Sequence, residues 1–192
     1  AGEVSDTITI KGVNPVNIKT LKVKLASTLY TYDGKVKTPA VAVTDAKGNK
    51  IASTNYTVKY GSGRKLPGTY TVTVTMKGDF TGSKTLTFAI RGKQMAVSKL
   101  TALSKGFKAT WKKQSYVTGY QVQYSTSSKF TAKTTKTATI TKNTTVSKSV
   151  TKLKASTKYY VRVRSYKTTK ISGKNYNVYS AWSKAKTVTT KK

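Results

Sequence analysis

The most informative segment of the sequence runs from Leu153 to Arg164 and reads Leu-Lys-Ala-Ser-Thr-Lys-Tyr-Tyr-Val-Arg-Val-Arg. Successive side chains of a β-strand point to opposite faces, so the alternation in its second half predicts a strand. The residues predicted to face the core are Tyr159, Val161 and Val163. The residues predicted to face outward are Tyr160, Arg162 and Arg164.

The same stretch carries a known motif. Leu153, Thr157 and Tyr159 stand at the offsets of Leu-x-Pro-x-Thr-x-Tyr, which leads into the sixth strand of a fibronectin type III domain, although Ala155 replaces the frequent proline. From about Val97 to Thr190 the chain resembles this domain. The fold-defining residues are Trp111, Tyr120, Val122, Tyr124, Leu153, Thr157, Tyr159 and Trp182. The resemblance implies a corner at which the Tyr159 hydroxyl bonds to upstream backbone.

The first half shows the same period of two between glycine-containing turns, which predicts short, half-buried strands. Alternating runs include Ile8 with Ile10, Leu21 to Leu25, Val41 with Val43, Tyr56 to Tyr60, Tyr70 to Met76, and Leu86 to Ile90. From about Ile18 to Ile90 the chain resembles a bacterial immunoglobulin-like module of exported Firmicutes proteins. The segments that carry this resemblance are Tyr32-Asp33-Gly34-Lys35 with Thr38-Pro39, Asn55-Tyr56-Thr57-Val58, the strand from Gly68 to Val74, and Gly78-Asp79-Phe80-Thr81-Gly82.

The predicted fold class is therefore all-β, with two tandem β-sandwich domains. Residues 1–91 form the immunoglobulin-like domain and residues 92–192 the fibronectin type III-like domain, joined by the short segment Arg91-Gly92-Lys93-Gln94. The charge supports this division. The first part has 14 basic and five acidic residues, whereas the second has 23 basic residues and no acidic one.

The inventory of reactive side chains argues against catalysis. The chain has no cysteine and no histidine, which excludes thiol nucleophiles, imidazole bases and the usual transition-metal ligands. The second half also lacks any carboxylate pair for acid and base chemistry. Asp33, Asp45 and Asp79 stand next to turns rather than in a calcium-binding cluster. We predict no enzyme activity, no cofactor and no metal site.

The formal net charge of +32 has two interpretations. Lysines can attract a polyanion such as an anionic cell-wall polymer or polysaccharide, or they can keep the surface soluble and protect strand edges from pairing. Specific nucleic-acid recognition ranks lower, because the sequence shows no basic helix and no aromatic signature of a single-strand-binding sheet. The longest apolar run, about Ala40 to Val43, is too short to span a membrane.

A second candidate site lies on the outward face of the sheet that places the third strand of this fold beside the sixth. Flat aromatic and guanidinium groups with amide neighbours can stack on sugars and bind their polar edges, although tyrosine and arginine are also ordinary cross-strand partners. The candidate ligand-binding residues are Gln121, Gln123, Tyr160, Arg162 and Arg164.

These observations predict a non-catalytic spacer and attachment module of a multidomain, secreted or cell-surface bacterial protein of Gram-positive type, with weak electrostatic affinity for anionic wall polymers. The alternative is a specific glycan- or host-protein-binding module. The expected partners are neighbouring modules of a parent protein and wall polyanions. The sequence is expected to be a mature or excised fragment, monomeric in isolation.

Overall fold

The computed structural model describes residues 14–192, so the predicted strand at Ile8 and Ile10 lies outside the described residues. The strands, numbered in chain order, are β1 (Val16–Asn17), β2 (Lys22–Leu25), β3 (Leu29–Thr31), β4 (Val41–Thr44), β5 (Tyr56–Tyr60), β6 (Gly68–Met76), β7 (Phe80–Thr81), β8 (Ser83–Arg91), β9 (Val97–Leu103), β10 (Gly106–Trp111), β11 (Gly119–Ser125), β12 (Thr135–Ile140), β13 (Ser147–Val150), β14 (Lys158–Ile171), β15 (Lys174–Tyr179) and β16 (Lys186–Thr189). Single 3-10 turns occur at Ile18–Thr20 and Ser53–Asn55. The predicted all-β class is confirmed.

The chain forms two compact units. The first contains the described residues up to Ala26, with Pro39–Tyr60 and Thr71–Leu86. The second contains Ser27–Thr38, Gly61–Tyr70 and Thr87–Lys192. The domain boundary between residues 91 and 92 stays a prediction. Over residues 14–192, no helix has the length and apolar character needed to cross a bilayer.

The first unit is built from paired strands whose alternate residues meet in one core. Strand β2 pairs antiparallel with β4, and β5 pairs antiparallel with β6. Strand β1 pairs in parallel with β7. Because apolar side chains occupy alternate positions of β2, β4 and β6, one face of these strands becomes buried. The buried cluster consists of Ile18, Leu21, Val23, Val43, Val74 and Met76.

The second unit contains two antiparallel sheets. One has the strand order β13-β10-β9, and the other has the order β12-β11-β14-β15, with β16 also paired to β14. Strand β14 is long enough to pair with β16 near its start and with β15 near its end. In addition, β3 pairs in parallel with β8, from Leu29 opposite Ala89 to Thr31 opposite Arg91.

The core of the second unit lies under alternate residues of β10, β11 and β14. Val161 and Val163 are fully buried, whereas Tyr160, Arg162 and Arg164 between and beyond them are partly exposed. Trp111 packs against Tyr120, with ring centroids 5.4 Å apart. The Tyr120 hydroxyl donates to the Asn143 carbonyl at 2.9 Å. The buried core residues include Val97, Phe107, Ala109, Trp111, Tyr120, Val122, Tyr159, Val161 and Val163.

The hydrogen bond implied for the Tyr159 hydroxyl is not formed, which corrects the expected corner. Threonines hold the chain here instead. Thr157 Oγ1 donates to the Ala155 carbonyl at 2.8 Å, and Thr190 Oγ1 donates to the Lys154 carbonyl at 2.6 Å. The Tyr159 ring packs against that of Tyr124, with the ring centroids 6.4 Å apart. Tyr159 therefore anchors the corner through its ring.

Candidate functional site

Four of the five predicted ligand-binding residues lie side by side on the outward face of β11 and β14. The antiparallel register sets Gln121 opposite Arg164 and Gln123 opposite Arg162. Directly opposed side chains on one face of an antiparallel pair are close enough to interact. The face therefore contains two parallel rows, each with one amide and one guanidinium group.

Each row is joined by charge-assisted hydrogen bonds. Arg164 donates from Nε and Nη2 to the Gln121 Oε1 atom at 2.9 and 2.7 Å. Arg162 donates from the same two atoms to Gln123 Oε1, at 2.7 Å from Nε. The amide nitrogens extend the rows to the threonines of β12, with Gln121 donating to Thr139 at 3.3 Å and Gln123 donating to Thr137 at 3.2 Å. The two rows thus tie three adjacent strands together.

Aromatic rings cover both guanidinium groups, forming what we call the arginine stack: Phe130, Arg162, Trp182, Arg164 and Tyr179. The guanidinium carbon of Arg162 lies 3.8 Å from the Phe130 ring centroid and 4.8 Å from that of Trp182. The guanidinium carbon of Arg164 lies 4.2 Å from the Trp182 centroid and 3.9 Å from that of Tyr179. Planar guanidinium groups stack favourably on the negative faces of aromatic rings.

Two serines position Trp182 between the arginines. Ser180 and Ser183 flank it in a segment outside the strands, and each exchanges two hydrogen bonds with the β14 backbone. The Ser165 amide donates to Ser180 Oγ at 3.0 Å, while the Ser180 amide donates to the Ser165 carbonyl at 2.9 Å. The Val163 amide donates to Ser183 Oγ at 3.0 Å, and the Ser183 amide donates to the Val163 carbonyl at 2.9 Å. This double attachment holds the segment along β14.

Phe130 reaches the stack from the loop between β11 and β12. Its backbone φ is 51°, in the left-handed region that a bulky residue rarely occupies. Its amide donates to the Ser127 carbonyl at 3.1 Å, which closes a tight turn. The loop therefore accepts local strain while the phenyl ring covers Arg162.

The stack contains two cations and no anion. Burial lowers the pKa of Arg162, and burial together with the neighbouring Arg162 charge lowers the pKa of Arg164, against the opposing effect of Tyr179. Arginine titrates so far above neutral pH that both groups remain charged. Among the described residues, the Nη1 atoms of both arginines have no protein acceptor, so these atoms are available to donate to a ligand.

Tyr160, the fifth predicted residue, is not part of the stack. It lies opposite Ser125 in the register, and the Lys158 ammonium group is 5.4 Å from its ring centroid. The sequence prediction did not include Phe130 or Tyr179 as site residues. Their spacing gave no signal: Tyr179 and Trp182 are three residues apart, which in extended backbone does not predict a shared face, and Phe130 lies in a loop.

The lysines form the second electrostatic feature of the surface. Every lysine from Lys19 onward is exposed except Lys37 and Lys167, which are partly buried. Within residues 14–192 the one ion pair joins Lys37 to Asp33. Asp33 and Asp45 accept backbone hydrogen bonds in their own turns, from Lys35 and Asn49, as expected of turn residues. The positive charge of the described surface is therefore almost entirely unneutralised by protein carboxylates.

Comparison with known proteins identifies a fibronectin type III domain in residues 93–179, which is less than half of the chain. No curated protein matches the sequence. Among solved structures, the FN1–FN3 domains of chicken CNTN1 are 15% identical with a TM-score of 0.43, over 90% of this chain and 53% of that one. A multidomain segment of titin is 17% identical with a TM-score of 0.36, over 90% of this chain and 66% of that one. The chain spans less than two thirds of either structure.

Proposed function

We propose that this chain, with a fibronectin type III domain in its second half, is a non-catalytic spacer and attachment module of a multidomain bacterial protein at the cell surface. It binds anionic cell-wall polymers weakly while it positions neighbouring modules. The observation that carries this proposal is the lysine surface of residues 14–192, because all of these lysines except Lys37 and Lys167 are exposed and one ion pair forms among the described residues.

Electrostatics supports weak attachment rather than tight recognition. The lysine side chains are long and flexible, and their charges are screened over a Debye length of about 8 Å at physiological ionic strength. Such a surface raises the local concentration of a polyanion without selecting one geometry. Many exchangeable contacts of this kind let a module remain near a wall and still move along it.

Sedimentation with purified Gram-positive cell walls tests this proposal. We expect binding at low ionic strength and release at about 0.5 M salt, where the Debye length falls to about 4 Å. Walls from which phosphate-bearing polymers have been extracted serve as the matched control and should bind less protein. Binding that salt does not weaken, or no binding at low salt, would contradict the electrostatic attachment.

The second candidate function is selective glycan recognition by the arginine stack. The specific observation in its favour is the strained backbone of Phe130, because strain of this kind concentrates at functional sites. The Nη1 atoms of Arg162 and Arg164 would donate to sugar hydroxyl groups beside flat aromatic surfaces.

A glycan array tests this second function. Selective binding that a Phe130→Ala variant loses, while a Tyr160→Ala variant retains it, would support recognition by the stack. If no glycan on the array binds the protein above the salt-sensitive background that a polyanion gives, glycan recognition by the stack is eliminated.

A further inference from the structure

A groove of about 330 Å³ lies in the second unit, where β11 ends and β14 begins. Two tyrosines and four lysines that line it carry the argument: Tyr124, Tyr159, Lys133, Lys136, Lys152 and Lys154. Its volume is at the lower end of the range for small-ligand sites, about 300 Å³, which suits one sugar or polyol unit. The groove is separate from the arginine stack, with which it shares no residue.

The backbone around the groove is held in place by hydrogen bonds. The Leu153 amide donates to the Lys105 carbonyl at 2.8 Å, and the Lys154 carbonyl accepts from Thr190 Oγ1 at 2.6 Å. Lys136 lies opposite Tyr124 in the register of β12 and β11, so both side chains are on the same side of this sheet. Only the flexible ends of the lysines would have to move when a ligand enters.

The two tyrosine hydroxyls give the groove directional donors. Their rings are packed, with centroids 6.4 Å apart, and Phe107 lies 5.6 Å from Tyr124 and 6.4 Å from Tyr159. Within residues 14–192, neither hydroxyl makes a hydrogen bond to protein, and neither is enclosed away from solvent. Burial raises the pKa of Tyr124, with Tyr159 adding to the increase, so the Tyr124 hydroxyl stays a neutral donor at physiological pH.

The charge of the groove is uniform. The four lysines supply ammonium groups, and residues 92–192 contain no aspartate or glutamate that could neutralise them. Ammonium and hydroxyl donors around a packed aromatic floor match an anionic oxygen group attached to a sugar or polyol. The positive charge repels cations from this groove.

We propose that this groove is a specific subsite for one anionic unit, phosphate- or carboxylate-bearing, of a cell-wall-type glycopolymer. The proposal rests on the attachment function above and deepens it. The tyrosine hydroxyls bind the anionic oxygens, and the lysines supply the surrounding positive charge. The groove then selects a unit of the polymer, whereas the remaining lysines attract the polymer as a whole.

Titration of the full chain with short, length-matched oligomers of glycerol phosphate and of galacturonate tests the subsite. The variant is Lys152→Gln with Lys154→Gln in the groove. Its matched control is Lys99→Gln with Lys108→Gln, two exposed lysines on β9 and β10, which removes the same charge elsewhere. We expect the groove variant to lose about ten-fold or more in affinity and the control about two-fold or less. The oligomer with the larger groove effect identifies phosphate or carboxylate as the anion.

Equal losses in the two variants would overturn the subsite while leaving the general attachment intact. Absence of binding by the unmodified chain at low salt would refute the attachment function itself and the subsite with it. Equal groove dependence for a DNA oligonucleotide of the same length would also overturn the proposal, because it would reveal a phosphate contact without selection for the glycopolymer unit.

A second variant, Tyr124→Phe with Tyr159→Phe, separates binding from folding. It changes neither charge nor ring packing, and the hydroxyls it removes have no protein partner in the described structure. We expect an unchanged melting temperature and a loss of affinity of about ten-fold or more, the scale of one hydrogen bond to a charged group. Unchanged affinity would overturn the role of the hydroxyls, and a strongly lowered melting temperature would show that they are structural.

Discussion

Replacing Trp182 with alanine tests whether the arginine stack holds the second unit together. The indole is partly buried and lies between two guanidinium groups, at 4.8 Å from Arg162 and 4.2 Å from Arg164. An indole that buries about 130 Å² gains about 3 kcal/mol at about 25 cal/mol per Å². The two cation–π contacts add about 0.5 to 1 kcal/mol each at a partly exposed site. Because burial estimates are upper bounds, we expect a loss of about 3 to 4 kcal/mol.

Urea unfolding followed by far-ultraviolet circular dichroism measures this loss. Trp182→Leu is the matched control, since it keeps most of the apolar contact and removes the ring face, and it should cost about 1 to 2 kcal/mol. A double-mutant cycle that combines Trp182→Leu with Arg164→Met should give a coupling energy of about 0.5 to 1 kcal/mol.

The reasoning fails if Trp182→Ala costs less than about 1 kcal/mol, the range of an ordinary surface substitution. A coupling energy of zero in the cycle would refute the cation–π contribution specifically. It would leave Trp182 as an apolar cover for β14, without an energetic link to the arginines.

Three further predictions concern the second unit and one turn of the chain. Gly119→Ala should destabilise the protein by about 3 kcal/mol or more in urea unfolding, because a Cβ atom would lie 2.0 Å from the Ile140 carbonyl oxygen. The control Gly173→Ala should cost only about 1 kcal/mol, because its Cβ atom would enter open space and only the φ of 81° is unfavourable. Equal costs would contradict the close approach. Ser183→Ala should cost about 1 to 3 kcal/mol, since it leaves the buried Val163 amide without its hydroxyl acceptor, and faster hydrogen exchange of that amide would report the loss. The hydrogen bond from Lys37, and after it the one from the Lys35 amide, lower the pKa of Asp33 in the folded protein. The ionised Asp33 carboxylate therefore stabilises the fold above the ordinary aspartate pKa, and this contribution is lost as the pH falls through the lowered pKa of the folded state. An NMR titration that gives Asp33 a pKa at or above the ordinary aspartate value would refute this. The Asp33→Asn variant should lose this carboxylate's contribution to the pH dependence of the unfolding free energy.

The alternation of β14 was predictable because it is a local property of extended backbone. Tyr159, Val161 and Val163 face the core, and the residues between them are partly exposed, as the period of two requires. The placement of Gln121 and Gln123 beside Arg164 and Arg162 required one more step, the strand order of the resembled fold. That order sets the register once one face of each strand must be buried.

The partners of the arginines were harder to predict. Phe130 comes from a loop between strands and takes a left-handed backbone conformation that no sequence pattern indicated. Trp182 was expected as a marker of the fold, but its place between two guanidinium groups depends on serine hydroxyls bonded to the backbone of β14. Such contacts join residues far apart in sequence, so propensity and periodicity do not specify them.

Residue type and alternation are enough to predict the all-β class, the two faces of the strand from Leu153 to Arg164 and the uneven charge. The aromatic rings that cover Arg162 and Arg164, in contrast, are brought there by tertiary packing. Tertiary packing also decided that Tyr159 lines a groove rich in lysine and that its hydroxyl does not bond to the corner backbone. The physical reason is that the direction of a side chain's polar end depends on how neighbouring strands and loops pack around it, and that packing is a property of the whole unit.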